Sequence, residues 1–400
     1  MRKLYSHVDA VLPSGVLPGA DVLTDGGKIV AIGKNLDCAP DEKLEAEGCY
    51  LMPGFVETHA HGAGGCDFMD TSVEAFTKAA DTHCRHGVTT IFPTTVATGE
   101  ADLFAFFDLY RRAAAAPHLA NYAGIHLEGP FISMKFRGAQ PPSVVRSPEA
   151  REVDRILDEA GDIVARITMA PELEGVPYAA KRFSDRGIRL AIGHSDAIAS
   201  DVFRAFDMGF DHVTHLYCST PGVRKIDQIR YAGIPEAAML LDDMTVDLIG
   251  DGRHIPKELM QMVIRFKGAD RVFLITDAMR AAGTDVKESY LGPICPENRV
   301  IVEDGVAKLP DRTSYAGSIA TMDQVLRNAV LNYGIPLTDA VRMISTVPAG
   351  RSGLEKKGKI EIGCDADLVL TDRDFRICEV AVNGKTVVRG PGANTGKTTR

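Results

Sequence analysis

From about Leu51 onward the chain alternates short β-branched apolar runs with longer amphipathic ones, which is the pattern of repeated strand and helix units. Eight strands are expected, ending near Thr58 in LMPGFVET, Val96 in TTIFPTTV, Glu128 in AGIHLE, Glu172 in RITMAPE, His194 in RLAIGH, His215 in HVTH, Gly250 in MTVDLIG and Asp277 in RVFLITD. Between them the apolar spacing predicts helices over 72–86, 101–115, 147–160, 198–208 and 256–266. A further helix over 321–333 opens on Thr321 and Gln324, a capping box. This order predicts an α/β fold, a (β/α)₈ TIM barrel over residues 51–347. The flanks differ in texture. Residues 1–50 and 348–400 carry short strand-like pieces and Gly/Asp turns, such as DVLTDGGKIVAIG, and are expected to form a small β-sandwich domain from both termini. The tail NTGKTTR superficially resembles a phosphate loop, but Pro391 stands where the first glycine is needed, and the tail is expected to be disordered.

Composition narrows the partners. A net charge of −9 with no run of Lys or Arg argues against nucleic acid and anionic membranes, leaving a small molecule as the expected ligand. The eight cysteines are scattered and form no CxxC pair, which fits a reducing cytoplasm. No apolar segment follows the basic N-terminal residues and none approaches the length of a membrane span, so neither export nor insertion is expected.

The candidate chemistry sits at the predicted strand ends. His59 and His61 are two apart at the end of the first strand, so both imidazoles project from one face and can grip one cation. Glu128, His194, His215 and Asp277 fall at the C-terminal ends of the third, fifth, sixth and eighth strands, where barrel active sites lie. Each has a structural reading alone: Glu128 as a loop cap, His194 bonded to a carbonyl, Asp277 as a helix cap. Together they form a ligand set of imidazole and carboxylate without thiolate. That set suits zinc first, with iron, cobalt or manganese as alternatives, one or two ions per chain. Water on such an ion would be acidified, and Asp277 would serve as general base and then acid in hydrolysis of a polarised carbonyl. His83, His86 and His212 are read as structural. His7 and His118 carry no argument. His126, two residues before Glu128, is expected in the core or supporting the ligands.

PGFVETHAHG, GIHLEGPF, IGHSDA, VTHLY, GDGRHI, LITDAM and AGSIATMD resemble the successive motifs of the N-acetylglucosamine-6-phosphate deacetylases of the amidohydrolase superfamily, over nearly the whole chain. The resemblance implies deacetylation of an N-acetylated amino sugar, a 6-phosphate, by a homodimer. It implies Glu128, His194 and His215 as principal metal ligands, with His59, His61 and Asp277 completing a binuclear site as in some members. His254 matches a substrate-contacting histidine, and Arg230 an arginine that reaches the sugar phosphate of the neighbouring subunit. Two departures stand out: Gln140 replaces a substrate-facing histidine, and Cys218 replaces a substrate-binding asparagine. Both are expected to contact substrate, and they lead to the expectation that an epimer or a differently substituted amino sugar is preferred over N-acetylglucosamine 6-phosphate. Cys218 is read as a pocket residue rather than a nucleophile, since no base is placed for it. The alternatives are hydrolysis of another N-acyl or cyclic amide, and a noncatalytic barrel scaffold. The cyclic-amide class is disfavoured because no lysine ends a predicted strand, and the scaffold because all six ligands survive.

Overall fold

The computed structural model describes residues 1–390. The expected disorder of the tail therefore lies outside the described residues. Eight parallel strands carry the site: Phe55–Ala60, Val88–Pro93, Ile125–Glu128, Val164–Met169, Arg189–Ile192, Phe210–Val213, Thr245–Ile249 and Val272–Ile275. The last six form one continuous parallel sheet in chain order, and the first two pair with each other. Single parallel bridges, Thr94 to His126 and Ala60 to Ala278, join the two sets at both edges, giving a curled, TIM-like sheet. Nearly every strand position is buried, as a parallel sheet packed on both faces requires.

The helices cover the outside through one face each. In Val73–Arg85 the buried residues Phe76, Ala79, Ala80, His83 and Cys84 recur at helical spacing, and the Ser72 hydroxyl caps the first turn by accepting from the Ala75 N–H. The expected helices all form, including Met322–Arg327, where Gln324 Oε1 accepts from the Thr321 N–H at 3.1 Å. Helices over Val176–Asp185 and Ile234–Leu240, and a three-stranded antiparallel insertion over residues 288–308, add to those expected. Among the described residues no helix is long and apolar enough to cross a membrane.

Both ends of the chain contribute to one further sheet. Its order is Lys385–Arg389, Ile377–Val382, Leu368–Thr371, Tyr50–Pro53, Lys3–Leu12, Gly15–Asp25, Lys28–Gly33, with Glu42–Glu45 parallel to Lys3–Leu12. The turn between Gly15–Asp25 and Lys28–Gly33 needs Gly26 and Gly27, which stand at φ +55° and +83°. A Cβ on Gly27 would lie 3.0 Å from the Asn383 carbonyl of the C-terminal segment. A buried ion pair ties the two ends together. Lys3 Nζ donates to both Glu379 oxygens at 2.7 and 2.8 Å and to Thr386 Oγ1 at 2.7 Å, and the Tyr5 hydroxyl donates to Glu379 at 2.8 Å. These bonds satisfy charges that would otherwise be costly to bury.

His83 is fully buried and faces the Gly62 carbonyl at 3.2 Å, and burial pushes its pKa from 6.5 down to about 4. His212 behaves alike: burial lowers it to about 4 against the opposing pull of Asp247. Below pH 6.5 the unfolded chain takes up protons that these native rings refuse. Their contribution to stability is thus complete above pH 6.5 and lost as the pH falls towards 4. Each neutral ring adds a slope of about 1.4 kcal/mol per pH unit in that window. The expected outcome is a steep fall in Tm of metal-free protein between pH 6.5 and 4; a flat Tm over that range would show that the rings are protonated in the fold.

Candidate metal centre

The six candidate ligands converge at the C-terminal ends of the parallel strands. His59 and His61 come from the end of the first, Glu128 ends the third, and His194, His215 and Asp277 each lie two residues beyond the end of theirs. His194, His215 and Asp277 adopt positive φ values of +47°, +31° and +48°. Left-handed backbone at three non-glycine residues is costly and gathers where a site over-determines its geometry. Hydrogen bonds hold Asp277 in place: its N–H donates to the His59 carbonyl at 3.0 Å and its carbonyl accepts from Ser318 N–H at 2.7 Å.

The decisive geometry concerns lone pairs. His194 Nδ1 lies 2.9 Å from the Phe136 carbonyl and His215 Nδ1 lies 3.1 Å from the Cys218 carbonyl. A carbonyl only accepts, so each neutral ring carries its proton on Nδ1 and presents a bare Nε2. The two Nε2 atoms face each other at 3.1 Å and approach Glu128 Oε1 at 3.2 and 2.8 Å. Three electron-rich atoms meet there, and a cation between them turns that repulsion into coordination. A second group forms beside it. His59 Nε2 is 3.3 Å from Glu128 Oε1 and 3.4 Å from Asp277 Oδ1, and His61 Nε2 is 3.4 Å from Glu128 Oε2 and 3.3 Å from Asp277 Oδ1. Both rings are buried, and among the described residues His59 Nδ1, His59 Nε2 and His61 Nδ1 have no hydrogen-bond partner. Glu128 is thus shared by the groups His59, His61, Glu128 and Glu128, His194, His215. The residues fit one or two cations of the kind that imidazole and carboxylate bind.

Electrostatics agree. Burial would raise the Glu128 carboxyl, but the imidazoles of His59 and His194 hold it well below the usual carboxylate range. Burial opposes ionisation of Asp277 as well, and His59 and His61 bring it down. Both carboxylates are anionic at neutral pH. His126 stands behind the ligands: its ring lies edge-on to His59 with centroids 4.7 Å apart, and its Nε2 meets Thr168 Oγ1 at 2.7 Å.

A cavity of about 240 Å³ opens over the ligands and is lined by Gln140, Cys218 and His254 as well as by Tyr217, Ser219, Ser314 and Tyr315. Gln140 spans it differently from a substrate contact. Its Oε1 accepts from Ala97 N–H at 2.7 Å and its Nε2 donates to Glu128 Oε2 at 2.5 Å, so the amide orients the shared carboxylate. Cys218 supplies the carbonyl that fixes His215, and burial, then the charges of Asp277 and Asp251, raise its thiol, which removes it as a nucleophile. His254 donates Nδ1–H to Asp251 at 2.8 Å, leaving Nε2 for a ligand. Arg230 is not brought to this cavity; it is exposed on the hairpin of Arg224–Ile226 and Ile229–Tyr231. Among the described residues no Lys or Arg lines the cavity. Sequence reading missed Asp251, legible three residues before His254 in GDGRH, and Tyr217 in the VTHLY motif. Ser314 and Tyr315 carried no signal, because they sit in an irregular loop.

The amidohydrolase family model matches residues 50–387. An N-acetylglucosamine-6-phosphate deacetylase of Lysinibacillus sphaericus is 32% identical over 391 residues, covering 96% of this chain and 98% of that protein. An N-acetylgalactosamine-6-phosphate deacetylase of Escherichia coli O157:H7 is 29% identical over 348 residues, 86% of this chain and 90% of its own. Among solved structures, the N-acetyl-D-glucosamine-6-phosphate deacetylase of Mycobacterium smegmatis superposes with a TM-score of 0.87 at 32% identity, covering 97% of this chain and 100% of that one. The chain belongs to the amidohydrolase family and is a hydrolase of carbon–nitrogen bonds. Within it, the chain is of the N-acetylglucosamine-6-phosphate deacetylase type, and family and ligand groups alike point to a divalent metal.

Proposed function

We propose that the protein hydrolyses the N-acetyl group of a hexosamine 6-phosphate, releasing acetate and the free amine, with one or two zinc ions held by His59, His61, Glu128, His194, His215 and Asp277. The observation that carries this reading is the convergence of the bare Nε2 atoms of His194 and His215 on Glu128 Oε1 at the floor of a cavity of sugar size. When bound, the metal polarises the amide carbonyl and acidifies water. Asp277 faces the same space as an anion and accepts the proton of the attacking water, then delivers it to the leaving nitrogen. His254, held by Asp251, offers a bare Nε2 that accepts from a sugar hydroxyl. Gln140 holds Glu128 so that Oε1 faces both histidines. Because among the described residues no Lys or Arg lines the cavity, a sugar phosphate would need one from elsewhere, and Arg230 of a second copy in a homodimer would meet that need. The fold of this reading is a (β/α)₈ barrel closed through the two single bridges, with residues 1–50 and 348–400 as a separate small β-sandwich domain. A reducing cytoplasm suits the eight free thiols.

Turning Gln140 towards Glu128 weakens the expectation that N-acetylglucosamine 6-phosphate is a secondary substrate. Acetate release from N-acetylglucosamine and N-acetylgalactosamine, each with and without 6-phosphate, tests the assignment. The phosphorylated pair should exceed the free sugars in kcat/KM, and equal rates on the free sugars would remove the phosphate from the reading. Gln140→Leu tests the orienting role. It leaves the Ala97 N–H and Glu128 Oε2 without their partner, and metal affinity measured by competition with a chromophoric chelator should fall by about 10–100-fold. An unchanged affinity would return Gln140 to substrate binding alone.

A further inference from the structure

A second cavity, of about 280 Å³, opens at the other end of the parallel strands. Arg189 is the first residue of its strand, Gly187 precedes it, and Arg351–Gly353 close the rim at the end of the helix Val347–Arg351. Thr58, His126, Arg166, Arg189 and Arg351 line it, and none of them lines the substrate cavity.

Three arginines therefore line one small space. Arg166 is buried and its Nη1 lies 3.3 Å from Asp247 Oδ2, and Arg189 pairs through Nη2 with Asp211. These two carboxylates balance two of the three charges. Arg351, exposed at the rim, forms no ion pair among the described residues, so its charge there is left unbalanced. Polar atoms are also left over: Arg189 Nη1, Thr58 Oγ1 and His126 Nδ1 are all buried and lack a hydrogen-bond partner among the described residues. Thr58 and His126 are themselves almost wholly buried, at 1% and 0% exposure, so bulk solvent does not serve them. When the Thr168 hydroxyl donates to His126 Nε2, the ring carries its proton on Nδ1, the atom that is buried without a partner. Water would satisfy the hydrogen bonds but not the charge. A tetrahedral oxyanion satisfies both, because its oxygens accept from two guanidiniums, a hydroxyl and an imidazole at once.

We propose that this cavity is a binding site for a phosphate group, either inorganic phosphate or the phosphate of a small monoester, separate from the substrate cavity. The edge-on contact of His126 with His59 places the site directly behind the metal ligands.

Calorimetric titration of the purified, metal-loaded protein with inorganic phosphate, and in parallel with glucose 6-phosphate, tests it. Arg351→Ala removes an exposed side chain that makes no ion pair among the described residues, and affinity for the probe should fall by about 10-fold or more, the loss of one charge-assisted hydrogen bond. Arg351→Lys should keep part of the affinity, and Thr58→Val, of equal shape, should also weaken it. Turnover of the acetylated sugar by Arg351→Ala should match the parent. Dependence on Arg351 for inorganic phosphate alone identifies the free ion, and the same dependence for both probes identifies a monoester. Equal affinity in the parent, Arg351→Ala and Thr58→Val would overturn the proposal, since phosphate would then be bound at the metal centre and this cavity would hold water only.

Discussion

Asp277→Asn should lower kcat by about 10²–10⁴ while leaving a folded protein, because it removes a positioned proton acceptor and little else. The substitution is well matched to its place. Asn, like Asp, tolerates the left-handed φ of +48° better than other non-glycine residues, and the main-chain bonds from Asp277 to His59 and Ser318 do not involve the side chain. Asn also keeps one oxygen for the contacts that Asp277 makes with His59 and His61 at 3.4 and 3.3 Å. Steady-state kinetics with the metal content of the variant measured alongside give the test. Turnover near that of the parent would move the proton transfer to another group.

Removing the metal should have an effect of similar or greater size. Lewis-acid assistance to attack on an amide contributes several kcal/mol, so stripped protein should lose at least about 10³ in turnover. Stability should fall too. Without a cation the bare nitrogens of His194 and His215 face each other and Glu128 with nothing between them, whereas a metal present at about 1,000 times its Kd adds about 4 kcal/mol to the folded state. Glu128→Gln should behave like stripped protein even in excess metal, since that carboxylate belongs to both ligand groups. A stripped protein with full turnover and unchanged Tm would contradict both expectations.

The strands and ligands were legible because their signals are strong and local. Continuous β-branched runs mark buried parallel strands, and polar residues at the ends of such runs, as at Glu128 and His194, are unexpected unless they serve a site. What the sequence hid depends on contacts between distant segments. Gln140 reads as a substrate contact by position, yet its amide is taken up by Ala97 and Glu128, and only a folded loop reveals that. Arg230 reads as a ligand to the sugar phosphate of a neighbouring subunit, and on this chain it stands exposed on its hairpin, where only a second copy could show its use. The helix Val176–Asp185 is short and carries Pro177 in its first turn, which blurs its period. The buried Lys3 and Glu379 pair looks like two surface charges in the sequence, because their partnership spans 376 residues. The same holds for Arg166 and Asp247, which sit inside predicted strands and meet across 81 residues.

Acetate release on metal add-back puts the reading of this chain as a metal-dependent deacetylase of a hexosamine 6-phosphate to its sharpest trial. The protein is stripped with a chelator, assayed on N-acetylglucosamine 6-phosphate and N-acetylgalactosamine 6-phosphate, and assayed again after stoichiometric zinc is restored. The expected result is negligible acetate from the stripped protein and recovery of release from at least one of the two sugars with one or two equivalents of zinc per chain. Acetate release that persists without metal, or none from either sugar in fully loaded protein, would refute that reading.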